Sequence, residues 1–209
     1  MKIILLANAE QKEELNAKGQ NDSAQLIWAD EPAEIPFAGA DACIDLLFEN
    51  TKDRIKKLEQ LQTGITIVNA VINPLSELPA NFIRMNGWNT FLKRPLVEAA
   101  CHANFPKEIA DRVFSYLGKT IEWVPDIAGF ISARVVATVI NEAYFTLDEQ
   151  VSTKEEIDTA MKFGTNYPYG PFEWSEKIGL KNICNLLNRL AKEQKRYEPA
   201  TLLIREASV

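Results

Sequence analysis

Apolar residues fall in short unbroken runs along the first half of the chain and at helical spacing along the second. KIILLA at 2–7, QLIWAD at 25–30, ACIDLLF at 42–48 and ITIVNAVI at 65–72 are continuous enough to be strands buried on both faces. EQKEELNAKG, between the first two, has helical propensity and a C-cap candidate in Gly19. EPAEIPFAGAD reads as a Pro/Gly-marked connection. ENTKDRIKKLEQLQ repeats apolar positions at Ile55, Leu58 and Leu61, with Asn50 or Thr51 as cap. Strands alternating with helices predict a parallel α/β sheet with right-handed crossovers.

After Pro74 the strands shorten, to FIRMNGW at 82–88 and RPLVEAA at 94–100. FPKEIADRVFSYLG at 105–118 is an amphipathic helix with Ile109, Val113, Phe114 and Leu117 on its apolar side. KTIEWVPD at 119–126 is the last strand pattern. From Phe130 to about Leu147 the chain is apolar nearly all round, which predicts a helix with one face covered by a second subunit. Ser152 with Glu155, or Thr153 with Glu156, makes a capping box for the next helix, ending near Gly164. A third helix is expected over Trp174 to Gln194.

Composition changes this picture little. The chain has 209 residues, 46% apolar and 25% charged, with a net charge of −6. KDRIKK at 52–57 is the nearest thing to a basic run, and it reads as the wet face of a helix. No nucleic-acid partner is expected. Cys43, Cys101 and Cys184 are far apart and odd in number, which fits a reducing cytoplasm rather than a disulfide framework or a zinc site. No apolar run approaches the ~18 residues of a membrane span, so no membrane partner is expected either. MKIILLANAE stops in Glu10 and reads as a strand, not a signal peptide.

One stretch is more specific. GFISAR at Gly129–Arg134, NEA at Asn141–Ala143, IDTAMKFG at Ile157–Gly164 and NYPYGPFE at Asn166–Glu173 follow one another in fixed order. Ahead of them, FIRMNGWNTFLKRPLVEAA falls where a known pattern has Phe-Ile-Gly-x-His-Phe-Phe-Asn-Pro and then Leu-Val-Glu. Together these segments resemble the 3-hydroxyacyl-CoA dehydrogenase family. The resemblance implies a shortened Rossmann-like α/β parallel-sheet domain of NAD-binding type over 1–126. It also implies an all-α helical domain over 127–209 that forms a homodimer. Only eleven residues separate Asp30 from Ala42, where the family carries extra helices. The tail RYEPATLLIREASV resembles the family's terminal stretch, so the chain is expected to be complete at that end.

The family's chemistry is carried over unevenly. A dinucleotide fingerprint needs glycines after the first strand, and the corresponding positions are Ala7, Ala9 and Lys12. The Ala9 methyl stands where backbone should approach a pyrophosphate, and Lys12 where strand and helix should touch. Glu10, Glu13 and Glu14 bring negative charge to the phosphate end. Asp30, at the end of the second strand, is the one residue placed to accept ribose hydroxyls. In the resemblance the catalytic base falls at Asn86, its supporting hydroxyl at Val71 and its supporting amide at Ala133. The orienting carboxylate survives as Glu98, and the Asn of the Phe-Phe-Asn-Pro run as Asn89. The sole histidine, His102, reads as a surface residue. Arg134, Asn141, Glu142 and the Tyr167–Pro171 turn read as structural or dimer residues, and Trp88, Trp123 and Trp174 as core or interface. The expectation is a catalytically degenerate member of the family that binds an acyl-CoA-like ligand. The alternatives are a working NAD-dependent enzyme with an unconventional base, and a structural subunit of a fatty-acid oxidation assembly.

Overall fold

A computed structural model of the chain describes residues 1–16, 24–31 and 39–208. The Gly19 cap and most of the EPAEIPFAGAD connection lie outside them. The described residues form two compact units, Met1–Phe130 and Ile131–Val209.

The first unit is an α/β sheet. Its elements are β1 (Lys2–Leu6), α1 (Ala9–Asn16), β2 (Gln25–Ala29), β3 (Ala42–Asp45), α2 (Lys52–Gln60), β4 (Ile65–Asn69), β5 (Phe82–Met85), β6 (Leu96–Ala100), α3 (Lys107–Tyr116) and β7 (Thr120–Trp123). The strand order among the described residues is β2-β1-β3-β4-β5-β6-β7. Every pairing is parallel except β5 with β6, where Arg84 faces Ala100 and Met85 faces Ala99. Alternate strand residues serve two cores. Ile3, Leu5, Ile44, Ile67 and Ile83 pack with Leu15 of α1 and Val113 and Phe114 of α3. Ile4, Leu6, Cys43, Val68 and Phe82 pack with Leu58 and Leu61 on the other face. Burial on both faces is why these strands carry no polar alternation.

Several ends differ from the sequence pattern. The third strand stops at Asp45, not Phe48, because the Asp45 carboxylate accepts the Leu47 N–H at 3.0 Å and turns the chain. KDRIKK is not wholly a wet face. Arg54 turns inward, its Nε 2.7 Å and its Nη2 2.8 Å from the two Asp45 oxygens, with Nη1 3.0 Å from Glu31. The cap of α2 is Thr51, whose hydroxyl accepts the Arg54 N–H. β4 stops at Asn69, whose Nδ2 donates to the Leu46 carbonyl and whose Oδ1 accepts the Gly87 N–H. Ile109 is 39% exposed, and Ala110 takes its place beside Val113.

The second unit is helical: α4 (Ser132–Asp148), α5 (Lys154–Thr165), α6 (Pro171–Ile178), α7 (Leu180–Ala191) and α8 (Thr201–Ala207). The helix expected over 174–194 is two helices. Gly179, at φ +91, breaks it, a conformation that side chains rarely adopt. Thr153 and Glu156 form the capping box of α5; Ser152 donates to Glu156 instead of capping with Glu155. One face of α4, with Ala133, Val136, Ala137, Ile140 and Tyr144, is buried. On the other side, Ile131 just ahead of the helix and Val135 and Phe145 within it are 54%, 52% and 38% exposed.

The motif residues of this unit hold helices together. The Asp158 carboxylate accepts the N–H groups of Phe172 at 2.8 Å and Glu173 at 3.1 Å, capping α6. A Cβ on Gly170 would sit 2.2 Å from Asp158 Oδ1, so only glycine fits there. Glu173 accepts the Gly170 N–H and pairs with Lys162. Asn141, expected to bond across a subunit interface, is satisfied inside the chain. It donates to the Glu198 carbonyl at 2.9 Å and accepts the Ala200 N–H at 2.8 Å. Glu142 is exposed. Tyr144 donates to Glu206 at 2.8 Å, and Lys154 closes the same group at 2.7 Å. Trp88 and Trp174 are buried, while Trp123 is half-buried.

Candidate functional site

Two groups of predicted residues lie in the first unit. The first is at the end of β1. Asn8 Oδ1 accepts the Gln11 N–H at 2.9 Å, and Gln11 Oε1 accepts the Asn8 N–H at 3.1 Å. This reciprocal box starts α1 and uses donors that a bound phosphate would otherwise take. Gln11 also donates to the Leu46 carbonyl at 3.1 Å. It is therefore Gln11, buried, that meets the strand end, and not Lys12 as the sequence predicted. Lys12 is exposed, its ammonium 5.1 Å above the Trp28 ring. Ala7, Ala9, Lys12, Trp28, Ala29 and Asp30 line a cavity of about 400 Å³. Asp30 is exposed at its edge.

These residues do not fit the diphosphate of NAD. No glycine stands before Gly19, the Ala9 methyl lines the cavity, and the helix start is capped by its own side chains. Glu10, in the first turn of α1, adds a carboxylate.

The second group surrounds β5 and β6. Asn86 Nδ2 donates to Glu98 Oε2 at 3.2 Å, and Asn86 Oδ1 accepts the Trp88 N–H at 3.4 Å. Both side chains are buried. The sequence prediction that these two positions belong together therefore has a geometric counterpart, with an amide where an imidazole is expected. Val71 is buried, and its carbonyl accepts from Arg84 Nη2 at 2.9 Å and from the Gly129 N–H at 2.8 Å. Arg84 stands where the family pattern has glycine. It is fully buried, donates to the Ala70 carbonyl at 3.0 Å, pairs with Asp126 at 2.6 Å and stacks 4.2 Å over Phe130.

Asn89 is bonded to α1. Its Nδ2 donates to Glu10 at 2.8 Å. The next residue, Thr90, has φ +77, and its N–H is held by both oxygens of Glu14 at 2.9 Å. A β-branched residue with that backbone is strained. His102 is exposed past the end of β6, as its surface reading expected. Ala133 is fully buried in α4 and offers no polar atom.

Arg54, Arg84, Asn69, Gln11 and Glu14 escaped the sequence reading as organisers of this region. Two had a signal. A lone arginine in an apolar strand, as in FIRM, announces a buried charge with partners, and Asn8 to Gln11 has capping-box spacing. Asn69 and Glu14 had none, because their partners lie far along the chain.

Residues 129–207 match the C-terminal domain of 3-hydroxyacyl-CoA dehydrogenase. A 3-hydroxyadipyl-CoA dehydrogenase of Escherichia coli is 38% identical over 117 residues, covering 54% of this chain and 25% of that protein. A probable 3-hydroxybutyryl-CoA dehydrogenase of Deinococcus radiodurans is 31% identical over 183 residues, covering 80% of this chain and 66% of that protein. The crystal structure of an (S)-3-hydroxybutyryl-CoA dehydrogenase from Ralstonia eutropha shares the fold, with a TM-score of 0.70 at 24% identity over 88% of this chain and 70% of that one. The chain thus spans between 25% and 66% of the length of these two sequence relatives. The shared order of motifs, sheet and helices places this chain in the 3-hydroxyacyl-CoA dehydrogenase family.

Proposed function

We propose that this chain is a catalytically degenerate member of its family, one that keeps the fold and the homodimer and binds an acyl-CoA-like ligand without efficient hydride transfer. The observation that carries the reading is the hydrogen bond from Asn86 to Glu98. Oxidising a secondary alcohol needs a base that takes the hydroxyl proton as hydride leaves the carbon. A neutral amide cannot take it near neutral pH. Loss of a general base alone costs roughly 10²–10⁴-fold in rate. Val71 and Ala133, both buried and apolar, add nothing polar to replace it. The lost diphosphate cradle points the same way, since the family cofactor would be NAD. Three free thiols agree with a reducing, cytoplasmic location.

The test is oxidation of NADH with acetoacetyl-CoA. Turnover at background is expected, in the parent chain and in Glu98→Gln alike. Saturable turnover that Glu98→Gln abolishes would overturn the reading. For the homodimer, the exposed stripe of α4 is the face at stake. Val135→Asp is expected to convert a dimer to a folded monomer in analytical ultracentrifugation.

A further inference from the structure

The helical unit holds a cavity of its own, built where two of its elements meet. Arg134, Val135, Thr138 and Val139 line it from α4, and Arg196 and Tyr197 from the single helical turn Lys195–Tyr197 ahead of α8. Its volume is about 320 Å³, at the lower end of small-molecule sites. The buried Tyr197 ring organises its charge. The Arg134 guanidinium lies 5.5 Å from the ring centre and that of Arg196 4.6 Å. Arg196 Nη2 also donates to the Tyr197 hydroxyl. Two cations are thus gathered on one neutral ring, and no ion pair compensates Arg196 among the described residues. The α4 side has the opposite character. Val135 and Val139 offer only hydrocarbon, and the Thr138 hydroxyl is spent on the Arg134 carbonyl at 2.9 Å. The cavity therefore sets guanidinium donors against an apolar wall.

We propose that this cavity binds a small carboxylate that carries a short aliphatic tail. The carboxylate accepts from the Arg196 fork, with the Arg134 charge beside it, and the tail lies along Val135 and Val139. A guanidinium has five N–H donors in one plane, and the Tyr197 hydroxyl occupies only the Nη2 end of that of Arg196. A second acceptor can therefore be held without breaking that bond. The contact with the ring fixes the fork before the ligand arrives. Inorganic phosphate would meet the same charge but leave the valines bare. An uncharged alcohol would meet the valines but leave the guanidinium without an anion. The inference goes beyond the proposed function and stands apart from it. Every residue it uses lies in the helical unit, and its ligand carries a free carboxylate rather than a thioester.

The experiment is isothermal titration of the full chain with hexanoate, 1-hexanol, acetate and inorganic phosphate. It is run in the chain's native subunit state, because Val135 also belongs to the exposed stripe of α4. Hexanoate is expected to bind saturably. Each of the other three is expected to bind about tenfold more weakly or worse, having lost either the charge-assisted pair or the buried methylenes. Arg196→Gln is expected to cost hexanoate about tenfold. Arg196→Lys is expected to cost less, because lysine keeps the charge and loses only the fork. Arg196 is exposed, so neither change threatens the fold. Hexanoate affinity is also expected to fall as salt rises. An absence of hexanoate binding overturns the proposal. So does binding of hexanol or phosphate as tight as that of hexanoate, or hexanoate affinity indifferent to Arg196→Gln. NADH turnover with acetoacetyl-CoA decides the degenerate reading by a separate measurement, so the two failures are distinguishable.

Discussion

Gly170 is set by a single carboxylate. Asp158 lies so close that any Cβ at position 170 would overlap it, at 2.2 Å from Oδ1 and 2.3 Å from Cγ. The carboxylate cannot retreat without dropping the Phe172 and Glu173 N–H groups that it caps. Burial pushes the Asp158 carboxyl above its ordinary value, against the pull of those donors. Gly170→Ala is therefore expected to destabilise the chain by about 2–4 kcal/mol, the range for overpacking combined with a lost cap. Urea unfolding of the two proteins measures it, and equal midpoints would show that the contact is dispensable. At this scale the identities of Asn86, Val71 and Ala133 were legible from motif order alone. Their surroundings were not. Asn89 reaches Glu10 across 79 positions, a pairing that no local pattern encodes.

The elements divide by how their ends are made. Strand interiors were legible because a sheet covered on both faces favours apolar residues, with Arg84 and Glu98 as buried exceptions that need partners. Strand ends were not, because Asp45 and Asn69 stop β3 and β4 through side-chain bonds to distant backbone or to a neighbouring turn. The break at Gly179 was missed for another reason: apolar spacing continues through α6 and α7, and only the backbone changes. Between β3 and α2 the decisive link is Arg54 with Asp45, whose side chains are 10% and 0% exposed. Arg54→Ala leaves that carboxylate buried and unpaired, and a loss of about 3–5 kcal/mol is expected. The paired replacement Arg54→Met with Asp45→Leu is expected to recover most of it, since a well-packed apolar pair often equals a buried ion pair. Chemical denaturation of the single and double variants gives the comparison. A double variant as unstable as the single one would mean that the pair contributes more than its own desolvation.

Across the whole molecule, the groups buried in neutral form determine the response to alkali. Burial raises the Cys43 thiol far above its ordinary 9.0, with Asp45 adding to the rise, and it raises Cys101 and Cys184 as well. Burial also raises the Tyr144 phenol from 10.0, with Glu206 reinforcing it. Each folded value lies above its unfolded one, so the folded chain holds these protons longer. Their contribution to stability is complete below pH 9.0 and is lost as pH climbs past the unfolded thiol value. Unfolding midpoints should therefore decline steadily above about pH 9. Cys43→Ala should make the decline shallower, and an unchanged slope would count against the assignment. Arg84 belongs to this same scale. It stands where the family pattern has glycine, it holds two carbonyls and Asp126, and it supports the backbone at Val71. A histidine placed at position 86 would leave this arginine in place. Removing the arginine would take a donor from the Ala70 and Val71 carbonyls, the second of which keeps the Gly129 N–H, and the cation from Asp126, a cost of several kcal/mol. Placing the family's glycine at position 84 therefore passes through a less stable protein, and the arginine acts as a latch on this corner of the sheet.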